Sequence, residues 1–234
     1  GHAWARLGQR GPQLRATGLV ALSDGASPTV GVLALQGAYR AHRLILERLG
    51  ATVREVKRPE ALEQVDALVM PGGESTTMSM LLDRSDLREP LAHRLAGDMP
   101  TLGTCAGAIL LAAEVLEGRP DQRSFGVLDI TVRRNGFGRQ LASFEAEVAL
   151  DGEAVAGPNG QSSFHAVFIR APRIERVGEG VTVAGRLDGE PVAVARGAVW
   201  ATTFHPELAA DDGLHRAWLA AATEALHAAG SMLA

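Results

Sequence analysis

The chain's single thiol, Cys105, stands in the run Gly103-Thr104-Cys105-Ala106-Gly107. A nucleophile flanked by glycines, with a strand-like segment before it and a helix-like segment after it, is the setting of a sharp elbow that holds a strained side chain toward solvent. Glycine at 103 and 107 keeps side chains out of that tight backbone, and a helix starting at Ala106 sets its positive end beside the sulfur, which favours the thiolate. The N–H groups at the start of that helix face outward, where they can hold the oxyanion of a tetrahedral intermediate, each donor contributing on the order of 3 kcal/mol. The competing reading is that a free cysteine merely packs as a small hydrophobe. The elbow setting favours nucleophilic catalysis instead.

A base and a carboxylate occur together in His205-Pro206-Glu207, directly after the strand-like residues 199–204. Residues i and i+2 of an extended backbone share a side. Glu207 is therefore placed to bond one nitrogen of the His205 ring, fix its tautomer and leave the other nitrogen for the thiol. The other histidines, His2, His42, His93, His165, His215 and His227, have no comparable neighbours and read as surface or helix residues. A third segment, Pro71-Gly72-Gly73-Glu74-Ser75-Thr76, follows another strand-like run. Its paired glycines let backbone N–H groups come close to a ligand and complete an oxyanion hole; a plain strand-to-helix turn capped by Ser75 or Thr76 is the alternative.

These three segments need a scaffold that brings their ends together. Residues 29–35 read as a buried strand, 38–49 as a helix with Ala41, Leu44, Ile45 and Leu49 at helical spacing, Gly50 as its stop, and 51–56 and 66–70 as further strands. Strand, helix, strand in that order implies right-handed parallel crossovers. Helices follow over 75–82 and 87–96, a strand over 100–104 leads into Cys105, and one helix spans 106–116 with Gly118 as its stop. Beyond it, 125–132, 143–150, 167–171, 181–187, 192–195 and 199–204 read as strands in antiparallel pairs, and a closing helix over 211–227 carries Leu214, Trp218 and Ala221 on one face. The expected fold class is α/β, a doubly wound, mostly parallel sheet with added antiparallel strands. Ligands in such sheets bind at the carboxyl ends of the parallel strands.

A chain of 234 residues fits one large α/β domain. Residues 29–234 are expected to form it and 1–28 to be a disordered extension, although Arg6, Arg10 and Arg15 with no acid before Asp24 faintly suggest a transit peptide. Hydrophobic residues at 46% against 21% charged exclude wholesale disorder. A net charge of -4 without a Lys/Arg stripe argues against a nucleic-acid partner. One cysteine excludes an intrachain disulfide and a multi-cysteine zinc site, so no metal is expected. The longest apolar stretch, 108–113, falls far short of the roughly 20 residues that cross a bilayer, so no membrane partner is expected either.

Six blocks in order, Leu35-Gln36-Gly37, Pro71-Gly72-Gly73-Glu74-Ser75-Thr76-Thr77-Met78, Gly103-Thr104-Cys105-Ala106-Gly107, Arg134-Asn135-Gly136-Phe137-Gly138-Arg139-Gln140, Phe168-Ile169-Arg170-Ala171-Pro172 and Phe204-His205-Pro206-Glu207-Leu208, carry a resemblance. The chain resembles the class I glutamine amidotransferases, and within them the family of glutaminase subunits of the pyridoxal 5′-phosphate synthase, from about residue 29 to its end. The elbow and the His-x-Glu pair mark the class; the other blocks mark the subfamily. The resemblance implies a cytoplasmic glutaminase without a cofactor of its own. It would hydrolyse L-glutamine to L-glutamate and ammonia, and pass the ammonia to a synthase subunit in a hetero-oligomer that makes vitamin B6. It implies Cys105 as nucleophile, His205 as general base and then acid, and Glu207 as the orienting carboxylate. Gly73 and Ala106 would be oxyanion donors, and Gly73, Glu74, Ser75, Arg134, Ile169 and Arg170 would line the glutamine pocket. For both arginines a solvated salt bridge is the plainer alternative, and Arg139 and Gln140 read as scaffold. Gln36 is implied near the oxyanion hole and the synthase interface; a buried amide that ties two loops together is its alternative. The rival functional readings are an amidotransferase with another partner, a catalytically idle binding subunit and a free-standing cysteine hydrolase. Full occupancy of the triad argues against the second, and His-Pro-Glu after a late strand against the third.

Overall fold

A computed structural model gives the structure, and it describes residues 26–119, 121–134, 143–151 and 163–231. Residues 1–25 of the expected extension and 135–140 of the arginine-glycine block lie outside the described residues. Ala26 O accepts a hydrogen bond from His227 Nε2 at 2.9 Å, which ties the chain to the domain from that point.

The first half alternates strand and helix: β1 (Thr29–Leu33), α1 (Tyr39–Arg48), β2 (Thr52–Val56), a short α2 (Pro59–Leu62), β3 (Ala67–Met70), α3 (Ser75–Arg84), α4 (Arg88–Ala96), β4 (Thr101–Thr104) and α5 (Ala106–Leu111). Ala67-Leu68-Val69-Met70 is buried at every residue, the mark of a strand covered on both faces. Successive side chains feed opposite cores, Leu68 and Met70 one of them, Ala67 and Val69 the other. The order β2-β1-β3-β4 is parallel throughout, as strand-helix-strand alternation requires.

The second half supplies β5 (Ala112–Leu116), β6 (Leu128–Arg133), β7 (Ser143–Leu150), β8 (Ser163–Ile169), β9 (Arg173–Val177), β10 (Thr182–Leu187), β11 (Glu190–Arg196), β12 (Val199–Thr202), a 3-10 turn (Pro206–Leu208) and α6 (Gly213–Ser231). The late strand β12 lies parallel beside β4, and β11, β10, β7 and β8 continue the sheet antiparallel from it. Strands β5, β6 and β9 form a separate small sheet. No helix among the described residues is long and apolar enough to cross a membrane.

Several sequence expectations change. The helix expected over 106–116 stops at Leu111, because the chain turns extended at Ala112 (ψ 147°) and β5 pairs with β6. A short apolar run fits either element, and here the available partner strand decides it. Helix α1 buries His42, Ile45 and Leu46 and leaves Leu44 58% exposed, so its inward face is rotated from the apolar set read in the sequence. Helix α6 buries Leu214 and Trp218 with His215 and Ala222, not Ala221, beside them. Neither α2 nor β9 is long enough to show a period of its own.

Candidate active site

Strand β4 runs straight into Cys105, which adopts φ 49° and ψ -101°. A non-glycine residue in a left-handed backbone costs roughly 1–3 kcal/mol and persists only where its surroundings enforce it. Cys105 N donates to Thr202 O at 2.8 Å, and Cys105 O accepts from Ile109 N at 3.2 Å. A Cβ on Gly103 would lie 2.8 Å from the carbonyl carbon of Gly107, and one on Gly107 would lie 2.1 Å from the carbonyl oxygen of Met70. The elbow therefore depends on both glycines.

His205 reaches this elbow because β12 and β4 are neighbours. Their register sets Thr202 beside Thr104, so residues just past the two carboxyl ends stand together. His205 N donates to Val167 O at 2.8 Å, which brings the end of β8 to the same place. The ring Nδ1 donates to Glu207 Oε1 at 2.7 Å, leaving Nε2 for the thiol. Strand alternation is not what sets this pair: Pro206–Leu208 is a 3-10 turn, and the tight turn carries Glu207 back to the ring. Burial pulls the imidazole pKa down, but the side chains of Cys105 and Glu207 outweigh it and push the value up to about 10. The raised value favours the imidazolium form of His205.

Gly72 closes the other side. A Cβ there would stand 2.3 Å from His205 Cε1 and 3.3 Å from Cys105 Cβ. Gly72→Ala is expected to push the ring off the thiol and lower turnover about a hundredfold while the fold stays intact, since a misplacement of about 1 Å suffices for such a loss. Steady-state kinetics beside a melting curve check this. Gly73 lies under Gln36, whose Nε2 would be 2.5 Å from a Cβ at that position, so the Gln36 side chain stands over this loop.

These groups open on a cavity of about 200 Å³. That is below the roughly 300 Å³ at which sites for drug-sized ligands begin, and it suits a single amino acid. The six residues expected to line a substrate site, Gly73, Glu74, Ser75, Arg134, Ile169 and Arg170, all face it with Cys105 and His205. Ala106 and Glu207 are buried behind it. Ile109, one turn into α5, also lines the cavity and was missed, although its position four residues after the elbow was the available signal.

Glu74 has a structural task besides. It caps α3 in place of Ser75 or Thr76, its carboxylate accepting from Thr76 N at 3.0 Å and Thr77 N at 2.6 Å. Partial burial resists its ionisation, but the hydroxyl and N–H of Thr77 and the N–H of Thr76 outweigh it and hold the carboxyl at about 2. Arg134 donates to Glu74 Oε1 at 2.9 Å, Thr76 Oγ1 at 3.1 Å and Gln122 Oε1 at 3.0 Å, so its guanidinium is fixed rather than free in solvent. Ser75 Oγ is buried without a hydrogen-bond partner, an unused polar group on the cavity wall.

The chain matches the SNO glutamine amidotransferase family over residues 32–224. It belongs to that family. The pyridoxal 5'-phosphate synthase subunit PdxT of Salinispora arenicola is 54% identical over 81% of this chain and 94% of its own length. The same-named subunit of Herpetosiphon aurantiacus is 51% identical over 82% of this chain and 98% of its own. A crystal structure titled glutamine amidotransferase superposes with a TM-score of 0.74 at 47% identity, covering 82% of this chain and 98% of that one. The structure of PurLQS from Thermotoga maritima shares the fold at a TM-score of 0.62, with 15% identity over 86% of this chain and 100% of that one.

In this amidotransferase two histidines read from the sequence as surface or helix residues prove to be helical but wholly buried: His42 on α1 and His215 on α6. Their ring nitrogens, His42 Nδ1 and His215 Nε2, meet at 2.8 Å. Sequence reasoning missed them because neither has its partner near it in sequence, and the partner is supplied only when α1 and α6 pack together. Burial lowers His215 from its ordinary 6.5 to about 4, with Arg48 adding to the shift and Asp212 opposing it. Burial, then the charges of His215 and His205, lower His42 as well.

The unfolded imidazole of His215 takes its proton near pH 6.5 and the folded one near 4. Stability held above pH 6.5 is therefore lost as the pH falls through that window, by about 3 kcal/mol from His215. His205 acts in the opposite sense: its raised pKa contributes stability below pH 6.5 that is lost as the pH rises toward 10. The urea midpoint is thus expected to fall between pH 6.5 and 4, and more gently in His215→Gln. Parallel slopes for the two proteins would contradict the assignment. Among the described residues no group of three or more His, Cys, Asp or Glu is placed to hold a metal ion.

Proposed function

We propose that this chain is the glutaminase subunit of a pyridoxal 5′-phosphate synthase, hydrolysing L-glutamine to L-glutamate and ammonia with Cys105, His205 and Glu207. The observation that carries it is the meeting of a strained thiol and a Glu207-held imidazole at the ends of adjacent parallel strands. Relatives that bear the subunit's name over nearly their whole length support the choice of partner.

In this reading the Cys105 thiolate attacks the side-chain carboxamide carbon, and the charge that collects on oxygen meets the N–H groups of Gly73 and Ala106. The imidazolium of His205 gives its proton to the departing nitrogen as the C–N bond breaks, which releases ammonia and leaves a glutamyl thioester. His205, now neutral, takes a proton from water as it attacks the thioester, and glutamate leaves with the thiolate restored. Glu207 keeps Nδ1 occupied, so Nε2 does both transfers. Ser75, Glu74, Arg134 and Arg170 bind the polar α-amino and α-carboxylate end of glutamine, with Ile109 and Ile169 against its methylenes. Ammonia must reach its acceptor unprotonated, which calls for a synthase subunit docked over the site in the cytoplasm. Gln36, lying across Gly73, belongs to the loop that such docking would order.

The test mixes the purified chain with a synthase subunit, a pentose phosphate, a triose phosphate and glutamine, and follows pyridoxal phosphate absorbance. Product is expected to grow only when chain and glutamine are both present. Growth at the same rate without the chain defeats the proposal. Glutaminase turnover should also rise when the synthase is added, and equal rates would remove the docking step.

A further inference from the structure

The triad leaves one polar atom unexplained. Glu207 uses Oε1 for His205, while its Oε2 is buried without a partner in hydrogen-bonding geometry. His42 Nε2 stands 3.3 Å from that oxygen, and both side chains are fully enclosed. Behind His42 lies His215, and beside it Thr104 Oγ1 is 3.3 Å from the same Nε2. Three elements that share no sequence neighbourhood, α1, β4 and α6, thus converge on the far side of Glu207.

The proton positions follow by elimination. If His42 carried its proton on Nδ1 and donated to His215 Nε2, its bare Nε2 would face the bare Glu207 Oε2, two lone pairs together in a water-free place. His215 would then bear its proton on Nδ1, which is buried with no acceptor. An enclosed donor without an acceptor is among the rarest states in folded proteins. The opposite tautomers remove both conflicts. His215 Nε2 donates to His42 Nδ1, and His42 Nε2 donates to Thr104 Oγ1 at 3.3 Å while facing Glu207 Oε2 at 3.3 Å as an off-axis electrostatic contact. The His215 Nδ1 lone pair then goes unused, and Glu207 Oε2 keeps only the electrostatic contact with the His42 N–H. The burial-driven lowering of both imidazole pKa values keeps the two rings neutral, as this chain of donors needs.

We propose that His42, held by His215, is a positioning residue that fixes the Glu207 carboxylate and, through it, the angle at which His205 meets Cys105. This rests on the triad reading given above. His42 touches neither the cavity nor the thiol, so substrate affinity should not depend on it. Loss of its Nε2 donor frees Glu207 to rotate, and the imidazole follows.

The experiment compares His42→Gln with His42→Asn in the full chain, with the synthase subunit present, by steady-state release of glutamate. A glutamine amide nitrogen reaches the place of Nε2, whereas an asparagine amide reaches only that of Nδ1. His42→Asn is expected to lower kcat about ten- to a hundredfold with KM within twofold, as a small misplacement of a reacting group does. His42→Gln is expected to restore kcat to within about threefold of wild type, on the same argument. A kcat for His42→Asn equal to wild type overturns the proposal, and so does equal impairment of both variants, which would mark a packing role alone. Cys105→Ala run beside them separates the two layers: if it keeps its activity, the triad reading fails first, whatever the His42 variants do.

Discussion

Cys105→Ala is expected to lower glutamine hydrolysis by at least about 10⁴-fold, since removing the nucleophile of a cooperating triad leaves only binding and oxyanion contacts at work. The chain holds no second thiol, so no other residue can form the thioester. The lost sulfur is a small part of a buried site, and alanine can take the same backbone angles, so the melting temperature should change little. A glutamine-mimicking electrophile should add its mass to the wild-type chain and none to the variant. Hydrolysis by Cys105→Ala at the wild-type rate, or labelling of both proteins, would end the proposed chemistry.

Glu207→Gln gives the second large effect by keeping the shape of the side chain and removing its charge. An amide can offer N–H to the imidazole where the carboxylate accepted, so the ring loses its enforced tautomer. In a triad of this kind the change lowers kcat roughly 10³- to 10⁴-fold. The pH dependence should move as well. Burial pulls the His205 pKa down, and Cys105 and Glu207 together hold it at about 10. With Glu207 uncharged, burial is opposed by the thiol alone, and the imidazolium loses its proton at lower pH. The alkaline limb of kcat/KM is therefore expected to shift downward in the variant. A variant with wild-type kcat and an unmoved limb would show that Glu207 is not the orienting group.

The site was more legible in the sequence than the scaffold around it, and the reason is the range over which each feature is encoded. The elbow needs only five consecutive residues, and both of its glycines meet backbone that a side chain would strike. His205 and Glu207 are two residues apart, so their contact could be expected even though a 3-10 turn, not a strand, makes it. The end of the supposed long helix after Cys105 was hidden, because Ala112–Leu116 becomes a strand only through its pairing with Leu128–Arg133. The inward turn of His42 was hidden for the same reason. Its worth depends on Glu207, Thr104 and His215, none of which is near it in sequence. Local chemistry was readable; chemistry completed by distant partners was not.

The place of β12 beside β4 governs when the molecule can act at all. Thr101 pairs with Val199 across about a hundred intervening residues, and contacts of such long sequence separation form late because the loop must first be closed. On the ribosome the sulfur emerges well before the imidazole that activates it in the proposed mechanism. A nascent or truncated chain ending ahead of Val199 would hold a thiol with no base at hand, and could not squander glutamine before the whole domain has closed around it.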